Sequence, residues 1–177
     1  MFLDYATNKN GLSELVIKDS HFPTVPESIV ELTNLKKLAL INNKIEILPK
    51  SFAKLGLLKE LNLYNNSLQH LPDFISNLRL LKRLVLSNNK LICLPESFFT
   101  LESLNYLDLN NNELTQISKS ISKLKNLDFL SLKGNKLTEL PLSFSELKNL
   151  SFLDFRDNFL TEKHLPFIKT ENFSYLI

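Results

Sequence analysis

His70 and Cys93 are the residues of this chain best suited to covalent chemistry. They are an imidazole and a thiol standing 23 residues apart, and the same step leads on to Gln116 and Glu139. A thiol beside a general base is the beginning of a nucleophilic dyad. The positions one and two steps earlier hold Ile47 and Thr24, so the series keeps no fixed chemistry. No Gly-rich or helix-start oxyanion site adjoins it, and no enclosed pocket is implied. A Cys/His-dependent enzyme is therefore a remote alternative. Metal ligation fares no better, because His21, His70 and His164 fall at different points of the step and no Cys or His pair has zinc spacing. Three glycines, Gly11, Gly56 and Gly134, make no phosphate-cradling loop. The residues ask for no metal and no cofactor.

The step is more informative than the groups it carries. A 23-residue pattern is written seven times, beginning at Leu12, Leu35, Leu58, Leu81, Leu104, Leu127 and Leu150. Leucine-class residues hold the first, fourth, sixth and eleventh places, Asn the ninth, and Leu-Pro or a close variant the fourteenth and fifteenth. Such a period is the mark of a solenoid. Alternation such as Leu61, Leu63 predicts a strand with one buried face, so seven parallel strands are expected. Parallel strands need crossovers on one side, and the return leg through Leu71, Pro72, Ile75 and Leu78 is long enough for a short helical or 3₁₀ turn. Proline at the fifteenth place fixes φ and gives up an N–H. Strands lie about 4.8 Å apart and the return legs need more room, so the stack must arc with its sheet inside.

The motif L-x-x-L-x-L-x-x-N-x-L, present as Leu81, Leu84, Leu86, Asn89 and Leu91 and again as Leu104, Leu107, Leu109, Asn112 and Leu114, resembles that of the leucine-rich repeat family. The second half, with Leu94, Pro95, Phe98 and Leu101, is similar to the 23-residue class of Ras-suppressor-like, plant Ras-group and many bacterial repeat proteins. The resemblance implies an α/β solenoid, a right-handed horseshoe arc with a parallel sheet on the concave face and helical or 3₁₀ segments and loops on the convex face. The expected organisation is an N-terminal cap over 1–11, repeats over 12–162 and a C-terminal cap over 163–177, where Lys163 and His164 replace Leu and Pro. Capping is expected because a solenoid end exposes a raw apolar cross-section. The C-terminal tail, ending Tyr175, Leu176 and Ile177, could instead dock elsewhere.

Composition narrows the class. A 44% hydrophobic and 23% charged chain of 177 residues suits one globular domain, and a net charge of +2 asks for neither nucleic acid nor an acidic membrane. The opening Met1-Phe2-Leu3-Asp4 is not followed by an apolar core, and no run reaches membrane-spanning length. A cytoplasmic protein is expected, with delivery into a host cell by a non-secretory route as an option. One cysteine, Cys93, excludes disulfide-bonded caps.

Two columns are expected to be scaffold. The ninth-place asparagines, Asn43, Asn66, Asn89, Asn112, Asn135 and Asn158, should point inward and bond turn backbone. The eighteenth place alternates Ile29, Phe52, Ile75, Phe98, Ile121 and Phe144, unequal neighbours that interdigitate without voids.

The family's geometry implies that the third, fifth and seventh places face the concave side. The third-place column reads Glu14, Lys37, Glu60, Arg83, then Tyr106, Phe129, Phe152. Its first four members alternate in sign and should pair across the ladder. Its last three are rings with no core to bury them, and contiguous exposed aromatics mark contact sites. Asp108, Asn110, Lys133, Asp154 and Arg156 rim them, giving the composition of a protein-binding patch. Tyr64 and Val85, with Val16, Ala39 and Ile41, would extend it. Ring stacking that merely helps strand pairing is the competing account. Lys36, Lys59 and Lys82 form a basic row at the second place, either a solvated rim or a lure for an acidic segment.

The expected function is thus a non-catalytic protein-interaction module, a bacterial effector or signalling scaffold, favoured as a monomer. A self-associating homodimer is the alternative.

Overall fold

The computed structural model describes residues 11–161 and the short strand 174–176. All of the predicted N-terminal cap but Gly11, and most of the predicted C-terminal cap, lie outside the described residues. Strands β1 (Glu14–Lys18), β2 (Lys37–Ile41), β3 (Glu60–Asn62), β4 (Arg83–Val85), β5 (Tyr106–Asp108), β6 (Phe129–Ser131) and β7 (Phe152–Asp154) form one parallel sheet in sequence order. Each residue faces the one 23 positions on, as Leu84 faces Leu107 and Leu107 faces Leu130.

The seven predicted strands become eight. β8 (Ser174–Leu176) joins β7 in parallel, with Phe152 opposite Ser174 and Leu153 opposite Tyr175. Its offset is one residue short of the period, and Tyr175 takes the register of the fourth-place leucine. The repeat motif was therefore invisible there.

The return legs are short because each is a single turn. The first is α1 (Glu27–Val30); the others are 3₁₀ turns at Lys50–Lys54, Asp73–Asn77, Glu96–Thr100, Lys119–Lys123 and Leu142–Glu146. The Phe52 N–H donates to Pro49 O at 2.9 Å and the Leu55 N–H to Phe52 O at 3.1 Å, the i to i+3 closure of a 3₁₀ turn. Proline precedes the turn in four of these five, fixing φ where a turn starts; in the fourth, Ser118 takes its place and its hydroxyl accepts from the Ser120 N–H.

Between sheet and turns runs one core. The first-, fourth- and sixth-place leucines are buried through the middle copies, and the alternating Ile and Phe of the eighteenth place are buried at every copy from Ile29 to Phe144. Each such side chain contributes about 1.5–3 kcal/mol by leaving water. The asparagine column locks this core to the backbone. Asn89 Oδ1 accepts from the Leu68 N–H at 3.1 Å, while its amide donates to Leu63 O and Leu86 O, both at 3.0 Å. One side chain thus ties two copies together, and the pattern repeats at Asn66, Asn112 and Asn135.

Candidate functional site

The third-place side chains stand in a single file across the sheet because strand register sets them opposite one another. Lys37 Nζ sits 3.3 Å from Glu14 and 3.5 Å from Glu60, so it serves both carboxylates. Hydrogen bonding to Glu14, then the charges of both glutamates, holds its ammonium above the usual lysine range. The expected alternation stops there. Arg83 does not complete it with Glu60; its guanidinium carbon lies 3.5 Å from the Tyr106 ring centroid. A weakly hydrated planar cation gains by covering an aromatic face, and Glu60 already has its cation.

From Tyr106 the file continues as stacked rings. Tyr106 and Phe129 centroids are 4.2 Å apart with planes 4° from parallel, and Phe129 and Phe152 follow at 4.6 Å and 3°. Near strand spacing, parallel rings are what in-register aromatic residues make. The rings are half-buried, since they hide one another's faces. What they offer solvent is their edges.

The flanking polar residues bind the chain's own backbone first. Asp108 Oδ1 accepts the Asn110 N–H and its Oδ2 the Ser87 hydroxyl; Asn110 Oδ1 accepts the Lys133 N–H and the Ser131 hydroxyl. Lys133 Nζ pairs with Asp157 at 3.4 Å. Asp154 is only 4% exposed and is held bidentately by Arg156, Nε to Oδ1 at 3.0 Å and Nη2 to Oδ2 at 2.8 Å. Burial pushes the Asp154 carboxyl up, but the Arg156 side-chain and backbone hydrogen bonds and its charge together outweigh this and hold it below the usual carboxylate range. These residues shape the rim more than they reach from it.

Two predicted contacts lie farther along. Val85 faces Asp108 across the ladder but is 7% exposed, too covered to be gripped. Tyr64 is 37% exposed, and its hydroxyl accepts from the Asn88 amide at 3.0 Å. Over the third to fifth places a shallow hollow opens, lined by Val16, Ala39, Asn62 and Val85 and by Lys37 and Arg83. A second groove runs from Lys59 and Lys82 past Asn105 to the edges of Tyr106 and Phe129, with Glu60 and Arg83 on its wall and Asp128 at its far end.

The eighth place was not singled out in the sequence, although its signal is plain. Asp19, Asn42, Asn65, Asn88, Asn111 and Asp157 all have φ between 51° and 56°, and Gly134 has 67°. Only Asp, Asn and Gly occur there, the residues that tolerate left-handed backbone. Asn65 donates to Asn42 Oδ1 at 3.0 Å and Asn111 to Asn88 Oδ1 at 2.8 Å. The column with His70 and Cys93 lies exposed at the far end of the strands' exit loops, with Cys93 free. Among the described residues no group of acidic, His or Cys side chains could hold a metal, and no helix is long and apolar enough to cross a membrane.

A leucine-rich repeat family model matches residues 10–68, 34–91 and 79–137. No curated relative matches significantly. Among solved structures, a leucine-rich repeat protein of Leptospira interrogans is 31% identical with a TM-score of 0.74, covering 95% of this chain and 49% of its own. An internalin of Listeria monocytogenes, 19% identical, reaches a TM-score of 0.81 over 94% of this chain and 47% of its own, which speaks for the fold. The leucine-rich repeat ectodomain of an Arabidopsis thaliana membrane receptor kinase, in complex with Casparian strip integrity factor 2, is 31% identical with a TM-score of 0.76 over 85% of this chain and 19% of its own. The chain spans about half the length of the two bacterial proteins.

Proposed function

The chain belongs to the leucine-rich repeat family, a family of non-catalytic interaction scaffolds, and on that premise we propose that it binds a partner protein across its concave sheet, centred on Tyr106, Phe129 and Phe152. Stacking alone is equally what the strand-pairing account predicts. The observation that carries the binding reading is that Tyr106, Phe129 and Phe152 stay half-exposed side by side on the open sheet face. Their edges form an apolar strip bordered by fixed charges of both signs, and interface hot spots have this make-up. The complex of the plant ectodomain with its factor is a precedent for capture by a related solenoid.

The finer role we propose is a bacterial effector or signalling scaffold; the 31% identity with the Leptospira protein bears only on a bacterial setting, and the plant ectodomain matches it. We also propose a cytoplasmic setting, since a single cysteine leaves the chain without the internal disulfides common in secreted domains.

The test is capture of partners from lysate by wild type and by Phe129→Ala with Phe152→Ala, each first checked for cooperative unfolding. Loss of a specific partner by a folded variant supports the reading. Equal capture by both defeats it. Sedimentation across a concentration range separates the homodimer: a dimer that Phe129→Ala dissolves assigns the strip to self-assembly.

A further inference from the structure

Lys36, Lys59 and Lys82 each stand just before a strand, and backbone bonds fix them in line: the Lys59 N–H donates to Lys36 O at 2.7 Å and the Lys82 N–H to Lys59 O at 2.8 Å. All three are exposed. None pairs with a carboxylate among the described residues, whereas Lys37, next to Lys36, takes both neighbouring glutamates. Arg83, next to Lys82, adds a fourth cation committed to a ring rather than to a carboxylate. Like charges at about 4.8 Å repel one another, so this row raises a local positive field in a chain whose total is only +2. The groove beside it leads directly to the ring edges of Tyr106 and Phe129.

We propose that this groove and the Lys36 position one strand before it take an extended acidic peptide segment of the partner, its carboxylates over the row Lys36, Lys59 and Lys82 and a following apolar side chain against the edges of Tyr106 and Phe129. Of the two acids in the groove, Glu60 is already paired with Lys37 and Asp128 lies at the far end, beyond the basic row. The inference rests on the concave-face reading and names the chemistry of the partner. Dimensions agree: the row spans two strand intervals, roughly 10 Å, and same-face side chains of an extended peptide recur about every 7 Å. Two alternate acidic residues therefore cover it, and the next same-face step, about 14 Å along, reaches Tyr106 one strand on. A nucleic acid fits less well, because its phosphates would continue past the end of the basic row to Asp128, whereas the peptide's carboxylates stop at Lys82 and an apolar side chain meets the rings beyond.

The probe is a fluorescein-labelled peptide of alternating glutamate and serine ending in phenylalanine, titrated by fluorescence anisotropy at low and physiological salt. Controls are the same peptide with lysine for glutamate, and a heparin oligosaccharide. Wild type is expected to bind the acidic peptide and to weaken as salt rises. Lys36→Glu with Lys59→Glu and Lys82→Glu should weaken it roughly tenfold or more and flatten the salt dependence. Phe129→Ala should weaken it with the salt dependence kept. If the charge reversals disturb folding, the three Lys→Gln changes make the same comparison.

Unchanged binding after the lysine changes overturns the proposal, as does equal binding of the lysine peptide. Displacement of the peptide by heparin binding more tightly through the same lysines overturns it in favour of a general polyanion site. Failure of the concave-face reading looks different: lysate capture then survives the ring substitutions. If capture depends on the rings and ignores the lysines, only the present inference falls.

Discussion

Arg83 and Tyr106 face each other on neighbouring strands, and the guanidinium carbon lies 3.5 Å from the ring centroid. This contact joins the charged half of the third-place file to its aromatic half. A double-mutant cycle with Arg83→Gln and Tyr106→Leu, followed by urea unfolding, should give a coupling of about 0.5–1 kcal/mol. Arg83→Lys should recover less than half of it, because an ammonium cannot lie flat on the ring. A coupling indistinguishable from zero would mean that the guanidinium merely rests there.

Phe129 is stacked on both sides and Phe152 on Phe129 alone among the described side chains. Each stack is worth about 0.5–1.5 kcal/mol beyond buried area. Phe129→Ala should therefore cost about 1–3 kcal/mol and Phe152→Ala roughly half as much, both with a single cooperative unfolding transition. Loss of cooperativity in calorimetry would assign the rings to the core instead of the surface.

The scaffold was legible because a solenoid writes each environment once per copy. Ninth-place asparagines and eighteenth-place Ile and Phe declared their burial by recurring in register. The asparagines from Asn43 to Asn135 and the eighteenth-place side chains from Ile29 to Phe144 are buried, while Asn158 near the end of the stack is part-exposed. Partner choice within a column was not legible. Whether Arg83 turns to Glu60 or to Tyr106 is a contest between two weak surface interactions, decided by side-chain conformation and by Lys37 having already engaged Glu60. Nor could residue type reveal that Val85 and Asp154 are covered by their neighbours. The eighth place is readable too, since a column of Asp, Asn and Gly has a backbone cause, the left-handed φ. β8 was hidden by a shortened step and by Tyr175 in a leucine register.

Asn112 holds three separate pieces of backbone, accepting from the Leu91 N–H and donating to Leu86 O and Leu109 O, each at 3.0 Å. Asn112→Ala leaves a buried donor and two carbonyls without this partner. It should destabilise by about 2–4 kcal/mol, the summed cost of more than one unsatisfied group. Asn112→Asp should also be harmful, because a carboxylate cannot donate to the carbonyls. Urea midpoints of the two variants test this.

Asn65 has φ of 53° and is exposed, so its backbone can be tested apart from packing. Asn65→Gly loses one exposed hydrogen bond to Asn42 but accepts the left-handed conformation, and should lie within about 0.5 kcal/mol of wild type. Asn65→Val must force a β-branched residue into that region, at about 1–2 kcal/mol more. Equal stability of the two variants would show that the turn relaxes freely.

The Asp154 carboxylate is the buried acid on the concave face whose charge is held by a fork of Arg156 bonds. Since folding lowers its pKa, the folded state binds its proton less readily than the unfolded chain does, and the contribution to stability is full above the unfolded value of about 3.9. It declines as pH falls below that value and is gone once pH passes the depressed folded pKa. Asp154→Asn keeps the size and removes the charge, so at neutral pH it should lose about 1–2 kcal/mol. The gap between wild type and variant, measured as urea midpoints, should stay constant down to about pH 5 and close at lower pH. A gap that widens on acidification would mean that Arg156 does not stabilise the ionised form.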